Sequence, residues 1–155
     1  MRLTLVPPGG ERERFIPLLL LADESERQVR SYFQQGDLYA YRVDETVSGI
    51  VLVIPLKDGA VELKAVAIEP NEQGRGVGKR MLLAVIDDLR ARGVRKAVVG
   101  TANAGIGQLA YYQKAGFRLS HVERDFFSPA RGYPEAMQDN GIRLRDMVWM
   151  DIDLS

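Results

Sequence analysis

A glycine-rich stretch, EQGRGVGKRM, is the part of this sequence whose residue types and spacing most directly suggest chemistry. Its glycines occupy alternate positions: Gly74, Gly76 and Gly78. Without side chains, successive backbone N–H groups can point at one ligand, and the basic residues Arg75 and Lys79 lie among them. The stretch favours a bound anion, above all a phosphate, and a flexible turn with a basic rim is the plain alternative.

The spacing excludes two familiar phosphate-binding loops. A P-loop needs a glycine five positions before its Gly-Lys pair and Ser or Thr after it. Here the pair Gly78-Lys79 has Gln73 at the first position and Arg80 at the second. The dinucleotide fingerprint G-x-G-x-x-G also fails, because its third glycine would fall on Lys79. The pattern that remains is Q-x-x-G-x-G.

Periodicity places this loop between a strand and a long helix. Residues 60–68 (AVELKAVAI) read as a strand that follows two others, 37–43 and 49–56, in hairpin fashion. After the loop, residues 78–93 predict a helix that ends at a glycine. Its apolar face comprises Met81, Leu82, Val85, Ile86 and Leu89. An anion held by the loop would therefore also meet the positive end of a helix.

The remaining segments predict a single mixed α/β domain over residues 1–155, with about seven strands and four helices. The further strands are 3–6, 96–100, one beginning at 117, and 142–154. The further helices are 11–21, one after residue 23, and 108–116. We interpret Asp23 and Glu26 as the capping box of the second of these helices, with Val29, Tyr32 and Phe33 facing inward and Gly36 at its end.

The composition limits the classes of function. The 155 residues carry a formal net charge of zero, which argues against a protein that coats nucleic acid. There is no cysteine, so disulfides, cysteine-ligated metals and acyl-cysteine intermediates are excluded. The longest apolar run, 16–22, is too short to span a bilayer, and the N-terminus lacks a signal-peptide core. We expect a cytoplasmic protein without membrane or nucleic-acid partners.

The stretch VELKAVAIEPNEQGRGVGKRML resembles the central motif of the GNAT superfamily, the acetyl-CoA-dependent N-acetyltransferases. A second segment, TANAGIGQLAYYQKAGF, is similar to the family's Tyr-x-Lys-x-Gly-Phe motif at Tyr112, Lys114, Gly116 and Phe117. The likeness covers roughly residues 47 to 120, and the flanks resemble small bacterial members. It implies a mostly antiparallel central sheet flanked by helices, with acetyl-CoA as the donor and no metal.

The resemblance implies which residues hold acetyl-CoA. The pyrophosphate would lie on the loop that comprises Gln73, Gly74, Arg75, Gly76, Val77, Gly78 and Lys79. The pantetheine arm would pair with the backbone of Val66, Ala67 and Ile68, and an amide near Ile68 would polarise the thioester carbonyl. Asn103 matches a position that contacts the same arm, with a capping or loop asparagine as the equal alternative.

Two side chains carry the chemistry that the resemblance implies. Glu62 aligns with a catalytic glutamate of the family and would deprotonate the amine through water, unless it is a solvated or salt-bridged strand residue. Tyr112 matches the tyrosine that gives a proton to the departing thiolate; a core aromatic is the alternative, a role that we assign to Tyr111. Without a cysteine, direct attack in a ternary complex is the simpler route. We assign no role to His121.

The resemblance implies a primary amine as the acceptor, and the candidates are a polyamine, an aminoglycoside-like compound, an amino acid and a protein amino group. Its recognition should lie in residues 11–35 and 126–141. Acidic residues that would suit a cation, or be plain charged surface, are Asp23, Glu24, Glu26, Glu123, Asp125 and Glu135. A non-catalytic acyl-CoA sensor and transfer of a longer acyl group stay open, as does a homodimer.

Overall fold

The computed structural model of this chain describes residues 2–23 and 25–155. The strands of the described residues are β1 (Arg2–Val6), β2 (Asp37–Val43), β3 (Thr46–Pro55), β4 (Ala60–Ile68), β5 (Lys96–Ala102), β6 (Arg118–Glu123), β7 (Gln138–Asp139), β8 (Ile142–Arg143) and β9 (Met147–Asp153). The α-helices are α1 (Ile16–Ala22), α2 (Glu26–Tyr32), α3 (Val77–Ala91) and α4 (Ile106–Lys114). Short 3-10 helices cover Gly10–Phe15, Pro70–Glu72 and Pro129–Arg131.

Seven strands form one sheet in the order β1-β2-β3-β4-β5-β9-β6. All neighbours are antiparallel except β4 and β5, which are parallel and joined by α3. The last strand, β9, inserts between β5 and β6, while β7 and β8 make a separate small hairpin. The predicted α/β class, with a mostly antiparallel sheet and flanking helices, is confirmed.

The sheet has an apolar cluster on each face. Along β2, Tyr39 and Tyr41 join the cluster under α3 and α4, whereas Leu38 and Ala40 join the cluster under α1 and α2. The apolar face predicted for α3 is buried against the first cluster at all five positions. Burial on both faces explains why these strands are rich in apolar residues.

Within the stretch that pairs with β3, strand β4 has one extra residue. Leu52 of β3 pairs with Ala65 and Val53 pairs with Leu63, so Lys64 between them has no partner. This β-bulge shifts the side-chain alternation along the strand. Leu63 belongs to the cluster under α3, whereas Ala65 and Ala67 belong to the cluster under α1 and α2. A bulge also twists a strand away from its neighbour.

Strands β4 and β5 separate after Glu62, next to this bulge. They pair only from Ala60 to Glu62, opposite Lys96 to Val98. Strand β4 then continues to Ile68 and β5 to Ala102 without pairing to each other. An opening in the middle of the sheet results, and one edge of β4 has no partner strand there among the described residues.

The predicted helix over residues 11–21 is wrong at its start. A 3-10 helix occupies Gly10–Phe15, and α1 begins only at Ile16, with Pro17 in its first turn. Proline has no N–H and clashes with the carbonyl four residues earlier, so one helix cannot run through this position. Proline is well tolerated where it lies, at the start of α1.

The predicted capping box is also wrong. Ser25 is the N-cap of α2, and its Oγ accepts a hydrogen bond from the Gln28 N–H at 3.2 Å. Asp23 lies instead at the end of α1, where its carboxylate accepts from the Ser25 N–H at 3.1 Å. Glu26 falls in the first turn and pairs with Arg30. Glu24, predicted with these acids, lies outside the described residues.

The predicted final strand is divided. Ile142–Arg143 belongs to the small hairpin, and the long strand starts at Met147. The helix predicted at 108–116 lies at 106–114, and the strand predicted at 96–100 extends to residue 102.

Candidate functional site

Two adjoining cavities occupy the opening between β4 and β5. The larger, which we call the main cavity, has a volume of about 580 Å³, and the smaller, the groove, about 350 Å³. The residues that line both are Leu21, Val66, Gln108 and Tyr112. The two spaces therefore meet beside α4.

The glycine loop and the start of α3 border the groove. Gly74 and Gly76 have φ of 81° and 75°, a region that favours glycine, and Gly76 is the N-cap of α3. The first backbone N–H groups of α3, at Val77, Gly78 and Lys79, have no carbonyl partner in the described part of the chain. They form the positive end of a 15-residue helix. This is a place for an anion.

Three cations surround this helix end. Arg75, Lys79 and Arg80 are exposed, and none of them forms an ion pair with a residue that the structure describes. Arg80 Nη1 donates to the Arg75 carbonyl at 3.4 Å. Their charges thus remain available to a ligand at the loop, whereas the Val77 side chain is buried in the core.

The end of β4 forms the floor of the groove. Val66, Ala67 and Ile68 all line it, on the strand edge that β5 has left unpaired. Gln73 also lines it, and its Nε2 donates to the Ile68 carbonyl at 3.4 Å. Backbone groups on this edge can accept an extended ligand as an added strand.

Tyr111 is a groove residue that sequence reasoning missed. We expected a core aromatic; the half-buried side chain does pack against the apolar cluster under α3, and it also lines the groove. Its hydroxyl donates to the Gly78 carbonyl at 2.7 Å, which ties α4 to the first turn of α3. The Tyr-x-Lys-x-Gly-Phe motif begins at Tyr112, so no motif in the sequence marks Tyr111.

Tyr112 lies where the two cavities meet. Its ring is 6% exposed and packs edge-to-face on Tyr111 and Phe117, with centroids 5.0 and 5.6 Å apart. Its hydroxyl has no hydrogen-bond partner among residues 2–23 and 25–155. Burial raises the pKa of the Tyr112 phenol far above its usual range, so the group is protonated at any physiological pH.

Glu62 lines the main cavity. It is the last residue of β4 that pairs with β5, so its side chain lies at the closed end of the opening. The side chain is half-buried, and no hydrogen bond or ion pair holds its carboxylate in the described structure. Burial raises its pKa, an effect that the nearby positive charge of Lys64 opposes.

Asn103 is not brought to either cavity. Its Oδ1 accepts from the N–H groups of Arg145 and Asp146 at 3.0 and 3.1 Å, and its Nδ2 donates to the Arg143 carbonyl at 3.1 Å. The side chain thus holds the segment that leads into β9. The geometry gives its predicted contact with the cofactor no support.

The main cavity is walled by the two segments predicted to recognise an acceptor. One is the connection between α1 and α2, and the other is the segment that follows β6. Of the described acidic residues that were predicted, Asp23 lines this cavity, whereas Glu26, Glu123, Asp125 and Glu135 do not. His121 does not line it either. Glu123 accepts instead from Trp149 Nε1 at 3.1 Å and pairs with Arg131.

The described residues contain no group of three or more His, Asp or Glu side chains placed to hold a metal ion. Likewise, no helix within them is long and apolar enough to cross a membrane.

Comparisons with known proteins agree with this geometry. Residues 11–117 match the model of the acetyltransferase (GNAT) family. An uncharacterised N-acetyltransferase of Bacillus subtilis, YvbK, is 36% identical over 137 residues, which cover 88% of this chain and 87% of the relative. An acetyltransferase structure from Bacillus subtilis in complex with CoA matches with a TM-score of 0.88 and 33% identity over 99% of both chains. A GNAT acetyltransferase from Elizabethkingia anophelis with acetyl-CoA bound gives a TM-score of 0.86 and 32% identity over 97% of both.

Proposed function

The chain belongs to the GNAT family of acetyltransferases, and from that premise we propose that it transfers an acetyl group from acetyl-CoA to a primary amine by direct attack, with both substrates bound together. Acetyl-CoA supplies the acetyl group as a thioester, and the two adjoining cavities offer separate places for donor and acceptor. The cofactor's pyrophosphate fits the glycine loop, because free N–H groups, a helix N-terminus and three unpaired cations converge there.

The groove accounts for the rest of the donor. Its floor, Val66 to Ile68, has a free strand edge for the amides of the pantetheine arm. A backbone N–H near Ile68 would polarise the reacting carbonyl, since a fixed donor at a developing oxyanion lowers the barrier. Gln73, Gly74 and Gly76 shape the path toward the phosphates.

Glu62 acts as the general base in this proposal. A bound alkylamine is protonated at neutral pH, with a pKa near 10, and must lose a proton before it attacks. The Glu62 carboxylate has no competing partner among the described residues, and its raised pKa makes it a better proton acceptor than a solvated glutamate. Glu62 can take the proton of the amine directly or through a water molecule.

Tyr112 acts as the general acid. Its hydroxyl has no hydrogen-bond partner among the described residues. The group is protonated and lies between the groove and the main cavity. That location is the single observation that carries the proposal, because the departing sulfur must lie where donor and acceptor meet. Proton donation from the phenol would stabilise the sulfur as the carbon–sulfur bond breaks.

The first experiment measures release of free CoA from acetyl-CoA across a broad amine panel. Tyr112→Phe and Glu62→Gln should each lower kcat by about 100-fold or more, the usual contribution of a positioned acid or base. Tyr39→Phe and Glu45→Gln are matched controls, because neither residue lines a cavity. They should retain the wild-type kcat.

The outcomes separate catalysis from sensing. Unchanged rates in both site variants would remove the acid and base assignments. Binding of acetyl-CoA without release of CoA for any amine would overturn the proposal and favour an acyl-CoA sensor on the same fold.

A further inference from the structure

An aromatic wall is the most pronounced feature of the main cavity. Of the chain's 12 aromatic residues, those that line it are Tyr112, Phe126, Phe127, Tyr133 and Trp149. Phe127 packs edge-to-face on Phe126 and Tyr133, with centroids 5.1 and 5.0 Å apart. Phe126 and Phe127 are nevertheless only half-buried. The cavity thus presents aromatic surface that a ligand of matching character would cover.

Phe127 differs from the rings beside it. The guanidinium of Arg131 lies 4.3 Å from the centroid of Phe126, and His121 stacks on Trp149 at 6.2 Å. The ring of Phe127 pairs with two other aromatic rings and, within the described structure, has no cation stacked on it. Its face is therefore not taken by a charged side chain of the described residues.

The charges of the main cavity nearly cancel. Three carboxylates line it, at Asp23, Glu62 and Asp139, together with two cations, Lys64 and Arg131. Asp23 accepts hydrogen bonds from two phenols, and Asp139 is exposed to solvent, which screens its charge. Glu62 is the half-buried carboxylate without a partner in the described part of the chain. The carboxylates of the main cavity can therefore balance one positive charge on a ligand but not several.

The aromatic segment, residues 126–133, is fastened across the cavity to the N-terminal helices. The Tyr133 hydroxyl donates to Asp23 Oδ1 at 3.1 Å, and the Tyr32 hydroxyl donates to the other oxygen at 3.0 Å. Gln28 Nε2 donates to the Arg131 carbonyl at 2.8 Å. These bonds bridge the segment to α2, so the wall is formed before a ligand binds, which lowers the cost of binding.

We propose that the acceptor of this enzyme is a small, singly charged amine on an aromatic body, with the ring against Phe127 and the amino group directed to Glu62. The inference rests on the proposed function and narrows its acceptor. A polyamine would bring more positive charge than the cavity neutralises. A peptide amino group would bring a polar backbone to an aromatic wall.

The single tryptophan allows a test that does not need turnover. Trp149 lines the main cavity, so a ligand bound there changes its fluorescence. We would titrate the protein, with and without CoA, with 2-phenylethylamine, spermidine and a short peptide with a free N-terminus. The arylalkylamine should bind at least about tenfold more tightly than the other two, as expected for aromatic contacts added to a shared amine–carboxylate contact.

Variants assign the preference to the wall. Phe127→Ala should lose most of the preference for 2-phenylethylamine over spermidine and leave spermidine binding unchanged. Leu119→Ala is the control, because this exposed side chain lies outside both cavities and should not change any of the affinities. The ratio of two affinities in one variant is insensitive to a partial loss of folded protein.

Each result bears on the inference. Tighter binding of spermidine or the peptide, no response to 2-phenylethylamine, or an equal loss for all ligands in Phe127→Ala would overturn it. Preferred acetylation of spermidine or the peptide would do the same and leave acetyl transfer standing. Preferred binding of the arylalkylamine without acetylation would support the inference and contradict the transferase proposal.

Discussion

At the scale of single residues, burial shifts the pKa of two ionisable groups of the site in the same direction. Burial favours the neutral form of an acid, so the pKa of Tyr112 and that of Glu62 are both raised. For Tyr112 the shift keeps the proton on the proposed acid but makes the phenol a weaker proton donor. For Glu62 it strengthens the proposed base but narrows the pH range in which the carboxylate is ionised. The same physical cause therefore both supports and limits each proposed role.

The pH dependence of activity should follow Glu62. Because the base must be ionised, kcat/KM should fall as the pH falls through the raised pKa of Glu62. Steady-state rates across pH would show this acid limb in the wild type. Glu62→Gln should remove it. Tyr112 should contribute no limb in the accessible range, and persistence of the acid limb in Glu62→Gln would assign the base elsewhere.

The same residue should cost the protein stability. Between the usual glutamate pKa of about 4.3 and the raised folded value, the native state binds more protons than the unfolded state. Stability therefore falls as pH rises through this window. We expect Glu62→Gln to have a higher Tm than the wild type at neutral pH, with a difference that vanishes at low pH. Thermal melts at several pH values check this; Glu45→Gln, with an exposed side chain, is the control.

At the scale of elements, the sequence predicted those features that depend on residues close together in the chain. The strands at 37–43 and 60–68 have the predicted bounds, and the apolar face of α3 is buried as its spacing indicated. The bulge at Lys64 could not be predicted in this way. It is defined by the register against β3, so it depends on a pairing between strands rather than on the residue itself.

Two side chains, Asn103 and Asp23, have partners that the local sequence could not indicate. Asn103 and Asp23 both have local roles that a sequence pattern supports, as a loop contact and as a helix cap. In the structure their partners are distant: Asn103 binds residues 143–146, and Asp23 binds Tyr133. Contacts across 40 or more residues leave no trace in a local pattern. They can be found only once the topology is known.

One buried arginine joins the N-terminal elements. Arg12 is 1% exposed, and its guanidinium donates to the carbonyls of Val6, Phe33, Gln35 and Gly36 at 2.8 to 3.2 Å. Replacement by Met would leave buried carbonyls without donors, so Arg12→Met should lower the free energy of unfolding by at least about 2 kcal/mol. Urea denaturation measures the loss.

The matched variants define the cause. Arg12→Lys keeps the charge but not the planar fork of donors, and should recover only part of the loss. Arg124 is exposed and has no side-chain hydrogen bond or ion pair with the described residues. Arg124→Met should therefore change the free energy of unfolding by less than about 0.5 kcal/mol. Equal effects at positions 12 and 124 would contradict this role for Arg12.

At the scale of the whole molecule, a chain with no net charge presents a local cationic site. The 21 basic and 21 acidic residues cancel, so no overall field attracts an anion. Arg75, Lys79 and Arg80 nevertheless stand unpaired, as far as the structure describes, at the positive end of α3. Affinity for a polyanion should therefore depend on these few residues and not on the charge of the molecule.

Binding of CoA should stabilise the entire fold, because the loop proposed to hold it connects both sides of the divided sheet. At 100 times the Kd, ligand binding adds about 2.7 kcal/mol to the free energy of unfolding, which raises Tm by about 5–10 °C in a chain of this length.

Alanine at Arg75, Lys79 and Arg80 together should abolish most of this shift and leave the Tm of the free protein nearly unchanged, since these side chains are exposed. Added salt should reduce the shift in the wild type by screening the same charges. Alanine at Arg2, Lys57 and Arg124, exposed cations that line neither cavity, is the control and should retain the full shift. An equal, salt-independent shift in all three proteins would show that the cationic loop does not hold the phosphates.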